Sequence, residues 1–395
     1  MPHFLASHIS LPPLPFTQDG FTFVYEALQC NDDTQSLILV RHKDKEFFLR
    51  KQYRKAKNNA IIKCEKTARN LSTGILKDSL KILSSKQTSL INHNLSDNSP
   101  RQNLQSPFLK NIEYFLDFHH NCLIEIGFGS GRHLLHLAQS NPHLVCMGIE
   151  IHTPSIEQIL RQIELLGLKN LYIINADARI LLEILPAHIG QGIYVHFPVP
   201  WNKKPHRRIF SQKFLTQSLR VLDSKGMLHL RSDDEIYFKD ALNLALNEPH
   251  ISLEVHKNCK NIITSKYEAR WERQQKDIYD MKIFQQNVQN TPENMKNYKK
   301  NFSFDKILRK NLDNYTNFPY KKIAKDWFLH IDNLYCAGDI YVLTLCFGDF
   351  HQPQNAFLQI TFAQTPIAHY IGNKPIPTQA AIKAHTHLTQ ILKQE

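Results

Sequence analysis

Three acids and three glycines carry the chemistry that can be read most directly. The run Glu125-Ile-Gly-Phe-Gly-Ser-Gly131 sets glycines at alternate positions just past a carboxylate, and Glu150 and Asp177 close two later apolar runs. Gly127, Gly129 and Gly131 suit a backbone that turns sharply and approaches a ligand, since a Cβ would obstruct it. Glu150 lies about 20 residues past the turn, where an acid can take a ribose diol. A dinucleotide would seat its pyrophosphate at the following helix N-terminus, where Glu125 would repel it. The ligand that fits carries no phosphate and welcomes negative charge. S-adenosylmethionine has a sulfonium, an ammonium, ribose hydroxyls for Glu150 and an adenine edge for the Asp177 region. These residue types favour a methyltransferase over a nicotinamide-dependent oxidoreductase.

A second constellation is His196-Phe-Pro-Val-Pro-Trp-Asn-Lys-Lys-Pro-His-Arg-Arg208. Two prolines and Trp201 make a stiff loop, followed by Lys203, Lys204, Arg207 and Arg208. A base can stack on the indole while the cations hold phosphates. The same residues would equally serve to seal a core and cap a sheet edge.

Elements must bring these groups together. Residues 119–285 alternate apolar runs, at 122–126, 144–149, 171–175, 192–197, 227–231, 251–255 and 278–284, with helical patterns at 131–140, 154–166, 179–185, 209–222 and 234–247. That alternation predicts an open, mostly parallel α/β sheet covered on both faces, with one late strand added antiparallel at an edge. Ligands bind beyond the carboxyl ends of such strands, where the acids and the loop fall. Before this core, 21–25, 37–40 and 46–49 read as strands, and Arg50 to Lys57 as a basic cluster able to meet phosphates or protect a strand edge. Residues 84–107 read as a linker, 286–325 as a polar linker with helical pieces, and 327–331, 339–347 and 356–362 as a small sheet closed by a helix over 378–394. The expected pieces are a β-rich extension at 1–100, a core at 101–285 and an α+β domain at 286–395, with no internal repeat.

Composition adds a partner. With 48 Lys+Arg against 36 Asp+Glu, the formal charge is +12, which suits nucleic acid first and an anionic membrane surface second. The 7 cysteines are scattered singly with no Cys-x-x-Cys, and the 21 histidines include no His-Glu-x-x-His. Reduced thiols and no metal are therefore expected. No apolar run approaches the ~18 residues of a membrane span, and the N-terminus lacks a basic segment leading into an apolar one, so the expected location is the cytoplasm. Nothing in the residues speaks to oligomeric state.

Over 120–285 the chain resembles the bacterial tRNA (guanine-N7)-methyltransferases, class I enzymes that use S-adenosylmethionine. The resemblance rests on the glycine turn, Gly148-Ile-Glu-Ile-His-Thr-Pro154, Asn175-Ala-Asp-Ala178, Phe197-Pro-Val-Pro-Trp201 with Lys203 and His206-Arg-Arg-Ile209, Arg231-Ser-Asp-Asp234, and Ser265-Lys-Tyr-Glu-Ala-Arg270, in that order. It implies a Rossmann-like sheet in which Glu125, Glu150 and Asp177 are the cofactor-binding acids around the glycines. It further implies that Lys203 and Asp233 contact substrate, that Ser265 to Glu268 approach the guanine, and that the substrate is guanosine 46 of the tRNA variable loop. One departure matters: Val199 stands where the family has the aspartate of Phe-Pro-Asp-Pro-Trp, generally taken to be catalytic, and Ser265 stands where threonine is usual. Guanine N7 carries a free lone pair and no proton, so attack on the methyl needs positioning and desolvation rather than a base. The expectation is an active enzyme with no assigned catalytic residue, Asp233 or Glu268 holding the guanine edge; the alternative is a catalytically weak tRNA-binding relative.

Overall fold

The computed structural model describes residues 2–65, 71–96, 106–259, 276–286, 302–304, 306–313, 318–372 and 374–393. It divides into two compact units, one drawn from Met1–Leu104 and Lys299–Glu395, the other from Gln105–Tyr298.

The first unit begins with β1 (His3–Ala6), β2 (Phe16–Gln18), β3 (Phe21–Gln29), β4 (Asp32–His42), β5 (Lys45–Arg54), β6 (Asn59–Cys64), α1 (Thr73–Ser84) and β7 (Leu90–His93). Period-two alternation puts Phe23, Ile38, Val40, Phe47, Leu49 and Ile62 on one face, buried against Leu76, Leu80 and Leu83 of α1. The Ser72 hydroxyl starts that helix by accepting from the Ile75 N–H. Arg50 to Arg54 of the basic cluster continue β5, and Lys55 and Lys57 stand exposed in the 3-10 turn beyond it. Part of the 84–107 stretch read as a linker is β7, an edge strand on β1.

The second unit carries β8 (Leu109–Lys110), β9 (Cys122–Ile126), α2 (Arg132–Ser140), β10 (Val145–Ile149), α3 (Thr153–Leu165), β11 (Leu171–Ile174), α4 (Ala178–Ile184), β12 (Gly190–His196), α5 (Gln212–Val221), β13 (Leu222–Ser232), α6 (Glu235–Leu246), β14 (Ile251–Lys257) and β15 (Tyr279–Gln285). Its sheet order is β14-β15-β13-β12-β9-β10-β11-β8. Strands β13 to β8 along this order run parallel, whereas β15 inserts antiparallel between β13 and β14. This is the Rossmann-like class I methyltransferase sheet expected, except that the antiparallel strand lies inside the sheet, with β14 outside it, rather than at the edge. Strand order reverses between β9 and β12, which makes their carboxyl ends the switch point.

The chain then returns to the first unit with β16 (Tyr320–Ile323), β17 (Phe328–Ala337), β18 (Ile340–Gly348), β19 (Pro353–Phe362), β20 (Pro366–Ile371) and α7 (Gln379–Lys393). The two flanks share one sheet, ordered β20-β19-β18-β17-β3-β4-β5-β6-β1-β7, with β2 on β3 and β16 on β17. Where the sequence suggests two separate extensions, antiparallel pairing of β3 with β17 joins them.

The flanks also repeat one plan, which the sequence reading did not detect. Each is a short strand, a four-stranded meander and a covering helix: β2 to β6 with α1, and β16 to β20 with α7. Phe16 pairs with Phe23 as Tyr320 pairs with Ile331. A bulge follows Phe23 in β3 and Ile331 in β17, at the same place in each copy. The two copies meet where Leu28 pairs with Cys336, each five positions past those residues (28 − 23 and 336 − 331). Equivalent positions facing one another across an antiparallel pair define a local twofold axis. Beside it, Ala27, Leu37, Leu39 and Phe48 of one copy pack on Tyr335, Val342, Phe357 and Ile371 of the other. No helix among the described residues is long and apolar enough to cross a membrane.

Candidate active site

Strand β9 is buried along its length and delivers the chain into the glycine turn. Gly127, Gly129 and Gly131 have φ of +68°, +52° and +72°, the left-handed region that glycine enters freely. Their roles differ. A Cβ on Gly131 would lie 2.4 Å from Ile159 Cδ1 of α3, so this glycine lets the helix layer close. A Cβ on Gly127 would meet nothing within 4 Å, and one on Gly129 would meet only the Gly127 carbonyl at 4.0 Å. That open space over the turn is a cradle in which a ligand can approach the backbone.

The three acids sit at successive strand ends and are bound differently. Glu150 accepts from the Gly129 N–H through Oε2 (3.2 Å), and from the Ile151 and His152 N–H groups through Oε1 (2.8 and 3.0 Å), so it ties the turn to the end of β10. Asp177 caps α4 by accepting from the Arg179 N–H (2.9 Å), and the Arg179 guanidinium holds both its oxygens at 3.0 and 2.7 Å. Its charge is thus balanced by its own helix. Glu125 is 4% exposed. Burial pushes its carboxyl up, and the hydrogen bond and charge of His133 oppose that rise.

Folding gathers a set of groups around Glu125 that the linear motifs did not indicate. His133 Nδ1 lies 3.0 Å from Glu125 Oε2, and the His133 ring packs on His196 with centroids 4.5 Å apart. His196 Nε2 reaches His229 Nδ1 (3.3 Å), His229 Nε2 reaches Asp280 Oδ1 (2.9 Å), and Arg231 Nε lies 3.0 Å from the same oxygen. His133 is placed by the first turn of α2, His196 by the end of β12, His229 and Arg231 by alternate positions of β13, and Asp280 by β15. Among the described residues, one atom each of Glu125, His133 and His196 lie within 4.8 Å of one another, a donor set able to hold a metal ion. No sequence spacing announces it, because three separate elements supply it.

Strand β12 also launches the loop. Phe197 and Trp201 take left-handed φ (+51° and +47°), Val199 is 62% exposed and Trp201 39%, with the Arg207 guanidinium 5.2 Å from the indole ring. Lys203, Lys204 and Arg207 are exposed. Arg208 is not among the cations open to phosphate: it is 6% exposed, donates to the Pro200 carbonyl (2.7 Å) and Asn202 Oδ1 (2.9 Å), and pairs with Asp240. Burying a guanidinium requires such partners, and here they clamp the loop. Asn202 in turn donates to Asp234 Oδ2 (2.8 Å). Asp233, at the end of β13, is half-buried and faces Lys276 Nζ at 3.2 Å. Ser265 and Glu268 lie outside the described residues.

Residues 119–281 match a family model described as "Putative methyltransferase". The sequence is 72% identical to the tRNA (guanine-N(7)-)-methyltransferase of Helicobacter hepaticus over 100% of both chains. It is 43% identical to the protein of that name from Helicobacter pylori, over 100% of this chain and 99% of that one. A third, from Wolinella succinogenes, is 40% identical over 99% of this chain and 100% of its own.

Proposed function

The chain belongs to the tRNA (guanine-N(7)-)-methyltransferase family, and on that premise we propose that it methylates N7 of guanosine 46 in the tRNA variable loop with S-adenosylmethionine. The observation that carries this reading is the cradle: open space over Gly127 and Gly129 beside a buried carboxylate at the switch point, with an exposed aromatic and cationic loop on the neighbouring strand. When bound, S-adenosylmethionine supplies an electrophilic methyl on a sulfonium.

The chain's own residues do the rest. Glu125, in a low-dielectric floor, answers a cationic ligand more strongly in its carboxylate form than an exposed acid would. Glu150 already orients toward the turn and offers acceptor capacity to a ribose, and Asp177 with Arg179 fixes the start of α4 where the adenine edge would sit. Trp201 offers a stacking face, and Lys203, Lys204 and Arg207 offer charge to the RNA backbone. Val199 removes a hydrogen-bond acceptor, not a base, because N7 has no proton to lose. Asp233 supplies an acceptor for the guanine edge once Lys276 yields it, and Ser265 and Glu268 complete the substrate side by the family resemblance. No observation favours the reading of a catalytically weak relative.

The test is methyl transfer to unmodified tRNA, with the product mapped to a nucleotide and atom. The expected product is 7-methylguanosine at one variable-loop position. Asp233→Ala should lower kcat/KM at least about tenfold, a loss of about 1.4 kcal/mol of transition-state stabilisation. Full rate and affinity in that variant would remove Asp233 from the site.

A further inference from the structure

Glu125, His133 and His196 each place one donor atom within 4.8 Å of the other two, and the function above uses the acid alone. Two imidazoles and one carboxylate suit a zinc-class ion, whereas calcium and magnesium need more oxygens than one acid supplies. Donors bound to one tetrahedral zinc-class ion stand about 3.3 Å apart. The 3.0 Å between His133 Nδ1 and Glu125 Oε2 and the 4.8 Å limit for the set bracket that value, so small side-chain movements close the site. His196 is also held as a ligating ring is held. The Asp280 carboxylate accepts from His229 Nε2 (2.9 Å), which leaves His229 Nδ1 to accept from His196 Nε2 (3.3 Å). The nitrogen of His196 with a lone pair to give is then Nδ1, backed by a hydrogen-bond chain that ends on a carboxylate, and such backing strengthens a ligand. Arg231 Nε, 3.0 Å from the same Asp280 oxygen, offsets that second acid. Tyr194 adds no oxygen: its hydroxyl lies back at Gly192, where an added Cβ would come within 3.0 Å of it. Among the described residues the set therefore has three members, as in zinc sites that keep a fourth position open.

We propose that Glu125, His133 and His196 bind a zinc-class divalent ion, and that this ion and S-adenosylmethionine exclude one another. The exclusion rests on reading the cradle as the seat of S-adenosylmethionine; the metal site does not. Glu125 is the shared group. A carboxylate ligated to a dication has no net negative charge left for an ammonium or sulfonium, and the dication repels both. The other strand-end acids do not join the set, since Glu150 is held by three backbone N–H groups and Asp177 by Arg179. The ligands come from β9, α2 and β12, so the ion would tie the start of the helix to both strands at the switch point. Cofactor access would then fall as free zinc rises.

The test uses the full chain freed of metal by a chelator. Co²⁺, which reports its own coordination, should give the visible bands of a four-coordinate site, and Zn²⁺ added afterwards should bleach them. His133→Gln and His196→Gln should each lose the bands and weaken the calorimetric Kd for Zn²⁺ at least about tenfold, and either one suffices if the other fails to fold. His229→Phe touches no ligand but removes the nitrogen behind His196, and should weaken Zn²⁺ binding about 10–100-fold. S-adenosylhomocysteine, which carries the ammonium, probes the exclusion. Zn²⁺ held at about ten times its own Kd should raise the S-adenosylhomocysteine Kd about elevenfold, the factor 1 + [L]/Kd for a competing ligand. The same Zn²⁺ concentration should leave that Kd unchanged in His133→Gln. Absent bands in the wild type, or bands and Zn²⁺ affinity untouched in both glutamine variants, overturn the site, the latter by placing the ion elsewhere among the 21 histidines. Zn²⁺ bound at these residues with the S-adenosylhomocysteine Kd unmoved overturns the exclusion. A metal-free wild-type chain that binds no S-adenosylhomocysteine instead overturns the assignment of the cradle, so the failures are distinct.

Discussion

Arg207 and Arg208 are neighbours in sequence and opposites in the fold. Arg207 lies on the indole of Trp201, open to an incoming phosphate, whereas Arg208 is spent on Pro200, Asn202 and Asp240. Arg207→Ala should weaken tRNA binding across tRNA sequences and reduce the slope of log affinity against log salt by about 1, with Tm unchanged. Arg208→Ala should cost about 1–3 kcal/mol, because the Pro200 carbonyl and Asn202 lose a buried charged donor. Its KM for tRNA should rise as the loop loosens, while affinity for S-adenosylhomocysteine stays constant. Thermal melts and filter binding distinguish the two. Composition marks both residues as cationic, but which one faces water depends on α6, where Asp240 sits 32 positions further along the chain. Asp177 teaches the same lesson: its place at a strand end is legible, its commitment to Arg179 is not.

At the scale of elements, the glycine turn was the most legible part of the site. Its needs are local, since three left-handed residues leave little choice but glycine. The division of labour among the glycines is tertiary. Gly131→Ala should cost about 1–3 kcal/mol, from left-handed strain together with a Cβ driven into Ile159, and should lower Tm. Gly127→Ala meets no atom, so strain of about 1–2 kcal/mol is its whole structural cost, but its methyl enters the cradle and should abolish most S-adenosylhomocysteine binding. A melt and a titration on each variant check the contrast. The helices and parallel strands of the core were legible for a related reason, as each carries its own hydrophobic period. The antiparallel insertion of β15 between β13 and β14 was not, although it delivers Asp280 to His229. Strand pairing is a choice among distant partners, and period alone does not make it.

The whole molecule holds a repeat whose copies are interrupted by the entire methyltransferase unit. The copies preserve a register, not residues: Phe23 corresponds to Ile331, and Ala27 to Tyr335. What each position must do is turn an apolar side to a helix or to the other copy, and many residues can do that. Phe48 and Phe357 meet across the central core with ring centroids 4.8 Å apart. Phe357→Ala should therefore cost about 3–5 kcal/mol. If the flanks form one cooperative body, amide exchange should quicken together in β3 to β5 and in β17 to β19. Loss of protection confined to β17 to β19 would show that the copies open separately.

The sequence by itself determined which ligand the turn could seat, because that depends on residue types within a few positions of a strand end: glycines where the backbone must turn, and acids where a phosphate would be expelled. It also determined that Val199 offers no acceptor, as a side chain's chemistry is local to it. Tertiary structure alone decided what surrounds Glu125. His133, His196, His229 and Asp280 come from a helix and three strands, and they interact only because the sheet order sets β12 beside β9 and β15 beside β13. A hydrogen-bonded chain depends on distances of about 3 Å between groups far apart in sequence, and neither composition nor spacing encodes such a distance.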